Sequence, residues 1–197
     1  MAETRLVFLG APGSGKGTQA ERLSPRLGVP AISTGEMLRD AVAAQSELGR
    51  RVTEIMGSGD LVDDATMVQV VTERLAKDDA RQGFILDGYP RTMAQVEALD
   101  GILAGRGECL GAVLLIEVRE AELVRRALAR QRDDDTGEVI RTRLEVYREK
   151  TEPLVRHYAD RGLLRRVDGD QPIESVTRAI LEAIEGGPHA TGVAVEG

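Results

Sequence analysis

The chain has 197 residues, with 26 Lys or Arg against 33 Asp or Glu for a formal net charge of -7, and it is 42% hydrophobic, 30% charged and 3% aromatic, without Trp. That composition is that of a soluble globular chain of one domain with small insertions, and it excludes bulk disorder. It also argues against a nucleic-acid binder working through a broad basic face or aromatic stacking, because counterion release needs many cations on one surface.

Taken in chain order, the first element is a strand over Arg5–Leu9, preceded by Met1-Ala2-Glu3-Thr4. That start carries no basic region before a signal-like stretch, and the longest apolar runs are far too short to cross a bilayer, so no membrane association and a cytoplasmic location are expected. Directly after the strand comes Gly10-Ala11-Pro12-Gly13-Ser14-Gly15-Lys16-Gly17-Thr18, which matches the G-x-x-x-x-G-K part of a phosphate-binding loop in its strand-loop-helix context. Glycines let consecutive amides turn inward, the helix amino end adds positive potential, and Lys16 can reach the β and γ phosphates. The hydroxyl that helps hold magnesium is one place late, at Thr18, because Gly17 intervenes. A dinucleotide fingerprint fails, since its third glycine would fall at Thr18. Pro25 is expected to kink or end the first helix near Ser24.

A second strand is expected over 29–32, then a helix start at Ser33 or Thr34, where a short acceptor side chain can cap free amides. The stretch 33–62 is too long for a turn and reads as a mobile cover. Asp63 is the next cap, and Met67, Val70, Val71, Arg74 and Leu75 recur at helical spacing. Phe84–Leu86 is a third strand, ending in Asp87, an acid placed to act on magnesium or its waters beside the phosphate loop. A helix through Val96, Leu99, Ile102 and Leu103 follows. Cys109, the lone cysteine, excludes an intrachain disulfide and a multi-cysteine zinc cluster.

The fourth strand is expected over 112–118 and the fifth over 163–167. Between them, Arg126 and Arg130 are four apart and share a helical face, able to straddle a phosphate chain. The polar segment 132–141, with Asp133, Asp134 and Asp135, is a second expected cover, with Asp135 as a helix cap. Residues from 186 onward read as a frayed Gly-rich tail. Strand and helix alternate throughout, which predicts an α/β fold with a five-stranded parallel sheet, helices on both faces, and ligands at the carboxyl ends of the strands.

The three segments Gly10–Gln19, Ser33–Arg39 and Leu86–Thr92, with Arg132, Asp134, Asp135 and Arg143, resemble the signatures of the nucleoside monophosphate kinases, adenylate kinases in particular, over about Leu6 to Ile184. Gly17-Thr18 is that family's own form of the loop. The resemblance implies a P-loop nucleoside triphosphate hydrolase fold, a single domain over 1–185, an AMP-binding segment over 33–62 and a short lid over 132–141 without structural zinc. It implies magnesium-dependent transfer of the terminal phosphoryl group of ATP to AMP, giving two ADP, by a monomer. Lys16 and the loop residues Gly13, Ser14, Gly15, Gly17 and Thr18 would hold ATP, with Arg126 and Arg130, and with Gln171 near its base by position. Thr34, Arg39, Gly88, Arg91 and Gln95 would line the AMP site, and Asp60, Leu61 and Val62 would close over its base. Arg132 and Arg143 would converge on the phosphates with Arg126 and Arg130, completing a catalytic set with Lys16 and Arg91. Asp87 and, as a second candidate, Thr18 would serve the metal.

Phosphoryl transfer needs alignment and charge neutralisation and no protein nucleophile, so neither His157 nor His189 is required. Two alternatives stay open. A UMP/CMP kinase shares the loop and the arginines and differs near Thr34 and Thr92, while a non-catalytic P-loop regulator has no use for a cationic acceptor pocket.

Overall fold

The structure, a computed structural model, describes residues 4–129 and 136–186. Among them, five strands form one all-parallel sheet in the order β2-β3-β1-β4-β5: β1 (Arg5–Leu9), β2 (Ala31–Ser33), β3 (Phe84–Asp87), β4 (Ala112–Glu117) and β5 (Leu164–Asp168). The helices between them are α1 (Lys16–Leu27), α2 (Thr34–Ala43), α3 (Glu47–Ser58), α4 (Asp64–Leu75), α5 (Met93–Ala104), α6 (Glu120–Ala129), α7 (Gly137–Val146), α8 (Pro153–Asp160) and α9 (Ile173–Glu185). No helix among the described residues is long and apolar enough to cross a membrane.

The alternation of side chains along β1 divides the core into two layers. Leu6 and Phe8 meet Ala20 and Leu23 of α1 and Val176 and Ile180 of α9. Val7 and Leu9 face the opposite way, into a layer with Val71, Leu99 and Tyr158 from α4, α5 and α8. Because both faces are covered, β3 and β4 read as nearly continuous apolar runs. A third, smaller cluster joins Leu123 and Ala127 of α6 to Ile140 and Leu144 of α7, outside the sheet.

Central β1 lies between β3 and β4, with Phe8 level with Asp87 on one side and Leu114 on the other. The phosphate loop therefore emerges where the chain departs to both halves of the sheet, the place where open α/β sheets bind ligands.

Two sequence expectations are corrected, for α1 and β2, and the two long connections gain detail. Helix α1 runs through Pro25 to Leu27, since the proline falls in the last turn and Gly28 closes the helix with its N–H on the Ser24 carbonyl. Strand β2 starts at Ala31, not 29, because Pro30 has no N–H for the ladder. The 33–62 stretch is built as α2 and α3, which bury Leu38 and Val52 against the main core. In the 132–141 segment, Thr136 caps α7, so 137–141 are helical; Arg132, Asp133, Asp134 and Asp135, like Arg130 and the tail from 187, lie outside the described residues. Ser33 and Asp63 cap α2 and α4 as expected.

Candidate active site

At the carboxyl edge of the sheet a cleft of about 690 Å³ opens between the phosphate loop, α2, the α3–α4 connection, the turn after β3, α6 and α7. Six basic side chains (Lys16, Arg39, Arg91, Arg125, Arg126, Arg143) and four acidic ones (Glu21, Asp60, Asp87, Glu122) line it. The cleft is thus locally cationic in a chain of net charge -7, a field that draws anions inward.

The loop holds a shape no side chain at Gly10 would permit. Gly10 has φ +146°, and a Cβ there would stand 2.7 Å from the Ile116 carbonyl oxygen of β4. Lys16, the first residue of α1, donates from Nζ to the carbonyl oxygens of Gly10 at 2.6 Å and Ala11 at 3.0 Å, and to the Ser14 hydroxyl at 3.3 Å. The ammonium is thereby held inside the curve of its own loop, beside amides at a helix amino end. Thr18, one turn position on, is exposed on the cleft wall. Gln19 is buried behind the loop, donating to the Ile173 carbonyl at 3.0 Å and accepting from Thr177 at 2.7 Å, which ties α1 to α9.

Asp87 ends β3 beside this loop, its Oδ2 3.4 Å from where a Cβ of Gly17 would stand. Its carboxylate and the Thr18 hydroxyl are hard oxygen donors. Among the described residues no group of three His, Cys, Asp or Glu side chains gathers into a cation cage. A cation here would take most ligands from phosphate oxygens and water, a donor set that fits Mg²⁺.

The turn after β3 builds the second half of the site. Thr34 is buried and its hydroxyl donates to the Asp87 carbonyl at 3.4 Å. Gly88 has φ +82°, and a Cβ there would lie 2.8 Å from Thr34 Oγ1 and 2.9 Å from Arg91 Nη2, so the turn demands glycine. Arg91 bends back, Nε donating to the Gly88 carbonyl at 2.7 Å, and Thr151 donates to the Arg91 carbonyl at 3.0 Å. Burial pushes the Arg91 guanidinium below its ordinary value; Asp87 opposes this, while neighbouring Arg143 and Arg39 reinforce it. Arg39, Arg91 and Arg143 come from α2, the β3–α5 turn and α7, and their mutual repulsion in a recessed pocket is relieved by an oxyanion.

On the opposite wall, Arg126 donates to Glu122 Oε1 at 2.6 Å and to the Gly169 carbonyl at 3.0 Å, while Arg125 grips the same carboxylate. The two arginines hold the Glu122 carboxyl down to about 2. Gln171 donates to Asp168 at 2.8 Å in the loop after β5. Asp60, Leu61 and Val62 form the wall between α3 and α4. Every residue named from the sequence as a site candidate lines the one cleft, except Arg130 and Arg132, which lie outside the described residues.

Four participants were not singled out in the sequence, Arg125 among them. Glu122 carries the visible signal of an acid three and four residues before Arg125 and Arg126. Asp64 and Thr151 carry none, since each acts on the turn after β3 from an element far away in sequence.

The model of the family described as adenylate kinase matches residues 8–163. Similar proteins include an adenylate kinase of Kocuria rhizophila, 50% identical with 92% of this chain and 99% of the relative covered. One of Methylobacterium radiotolerans is 48% identical, covering 96% and 99%. One of Micrococcus luteus is 46% identical, covering 96% and 94%.

Proposed function

The chain belongs to the adenylate kinase family, and on that premise we propose how the cleft divides the work of phosphoryl transfer among its residues. The activity is reversible transfer of the terminal phosphoryl group of ATP to AMP, giving two ADP. The observation that carries the division is that two unlike phosphate-binding surfaces, the loop with Lys16 and the arginine group around Arg91, line one cleft.

In this reading Lys16 and the amides of residues 13–18 hold the triphosphate chain of ATP, while Thr34, Arg39 and Arg91 hold the phosphate of AMP, with Gln95 and the 60–62 wall at its base. Arg126 and Arg143, with Arg130 and Arg132, neutralise the charge that spreads over the transferred group. No side chain forms a bond to phosphorus; alignment of donor and acceptor removes most of the entropic cost of bringing two polyanions together. Asp87 and Thr18 would hold Mg²⁺, directly or through water, and the ion when bound would supply further charge neutralisation on the phosphates. Burial of the acceptor side excludes water that would otherwise compete as acceptor. A cytoplasmic monomer with ATP, AMP and ADP as partners completes the reading, carried by the family resemblance.

The test is phosphorus NMR of the protein with ATP and Mg²⁺, adding AMP, CMP, UMP and GMP separately. ADP forming with AMP, reversibly from ADP alone and not after chelation of the metal, is the expected result. Comparable diphosphate formation from CMP or UMP overturns the assignment of the acceptor base. ATP binding without transfer to any monophosphate overturns the division of roles.

A further inference from the structure

Asp64, the first residue of α4, sits one position beyond the cap Asp63. In the fold its Oδ1 accepts two hydrogen bonds from the start of α5, just after Arg91: Thr92 Oγ1 at 2.9 Å and Gln95 Nε2 at 2.8 Å. Gln95 is almost wholly buried, 1% exposed, and lines the cleft. The other end of its amide is also taken, Oε1 accepting the Arg91 backbone N–H at 2.8 Å.

The chemistry of these partners settles which way the amide points. A backbone N–H can only donate, so the oxygen must face Arg91, and a carboxylate can only accept, so the nitrogen must face Asp64. A turned-over amide would set N–H against N–H and oxygen against carboxylate, losing both bonds in a buried place. Thr92 is oriented by the same logic. Its Oγ1 accepts the Gln95 backbone N–H at 3.3 Å, and its hydroxyl hydrogen is directed to Asp64. Among the described residues the second N–H of the Gln95 amide has no protein acceptor, so what Gln95 presents to the cleft is a donor.

We propose that Asp64 is the positioning residue that sets acceptor-base selectivity, by locking the Gln95 amide so that it offers a hydrogen-bond donor to the base of the monophosphate. The inference rests on the placement of AMP beside Gln95 given above. A donor matches a purine whose ring nitrogen N1 is an unprotonated acceptor, as in adenine, and opposes one whose N1 carries hydrogen, as in hypoxanthine. AMP and IMP share ribose and phosphate and differ at N1 and at the neighbouring 6-substituent, amino in one and carbonyl in the other, so the change in the ratio of their kcat/KM values between wild type and an Asp64 variant reports the amide's orientation. A site built to hydrogen-bond discriminates strongly when its buried group would be left unpaired.

The experiment compares AMP and IMP as acceptors, at saturating ATP and Mg²⁺, for wild type, Asp64→Ala and Asp64→Asn. Wild type is expected to favour AMP. In Asp64→Ala only the Arg91 N–H still holds the amide, so turning it over costs one hydrogen bond in place of two, and the AMP-over-IMP ratio falls by about 10-fold or more, largely through a higher KM for AMP, while the KM for ATP stays within about 2-fold. Asp64→Asn keeps an oxygen acceptor but can itself turn over, and its ratio falls by about 3-fold. A merely structural role would lower activity with both acceptors equally. An unchanged ratio in folded Asp64→Ala overturns the inference, and if that variant does not fold, an unchanged ratio in Asp64→Asn overturns it. Wild type that uses no AMP, or uses IMP as well as AMP, overturns the underlying placement instead.

Discussion

Glu122 and Arg126 are joined one turn apart on α6, Arg126 Nε donating to Glu122 Oε1 at 2.6 Å, and Arg125 shares the same carboxylate oxygen at 2.6 Å. An arginine proposed to meet phosphate is thus already aimed by an acid of its own helix and by the Gly169 carbonyl. The arrangement limits the rotamers open to Arg126 and keeps its charge compensated within the cleft.

The acid has a pH signature. Held to about 2 by Arg125 and Arg126 against an ordinary 4.5, the Glu122 carboxylate contributes stability that is fully present above pH 4.5 and is lost as pH falls toward about 2. Carbon-13 carboxyl NMR should give Glu122 a midpoint near 2, and Arg126→Ala should move that midpoint upward toward the ordinary value. A midpoint already at the ordinary value in the wild type would dismiss the pairing.

Gly88→Ala should cost about 1–2 kcal/mol of stability from the left-handed backbone alone, beyond which its Cβ intrudes on Thr34 and Arg91. The displaced guanidinium should lower kcat/KM for AMP by ~10-fold or more, with a smaller effect on the KM for ATP. Urea melts and initial rates with each nucleotide varied in turn check both halves.

Lys16→Ala should lower kcat by roughly 10²–10³-fold, the effect of losing one preorganised charge-stabilising donor. The melting temperature should fall by no more than about 4 °C, since the ammonium's partners are loop carbonyls and Ser14 at the edge of the cleft. Calorimetric melting and steady-state turnover separate the two effects.

Arg91→Ala should lower kcat/KM for AMP by about 10- to 100-fold, as for a charged hydrogen bond worth about 1.5–3 kcal/mol. ATP binding, followed by titration calorimetry, should change little, because Arg91 belongs to the turn after β3 and not to the phosphate loop. Unaltered AMP kinetics would remove Arg91 from the acceptor site.

The framework of this site was readable from the linear chain because its signals are local. A glycine-rich loop between an apolar strand and a helix constrains the backbone within nine residues, and Asp87 follows an apolar run that can only be a buried strand. Caps at Ser33 and Asp63 act on amides three residues ahead, 36 and 66. Pro25 misled because a proline's cost depends on where the helix closes, and that is decided by Gly28 three residues later.

Other features depend on the order of strands in space. Arg39, Arg91 and Arg143 crowd one another only because β2 and β3 are neighbours and α7 returns over their carboxyl ends. Asp64 reaches Gln95 across 31 residues, and Thr151 reaches Arg91 across 60. Periodicity and motif therefore determined the sheet and the phosphate cradle, and the family resemblance supplied the residues expected at the acceptor site. Tertiary structure alone decided which groups hold those residues in place, because a hydrogen bond of about 3 Å between distant segments has no counterpart in local sequence pattern.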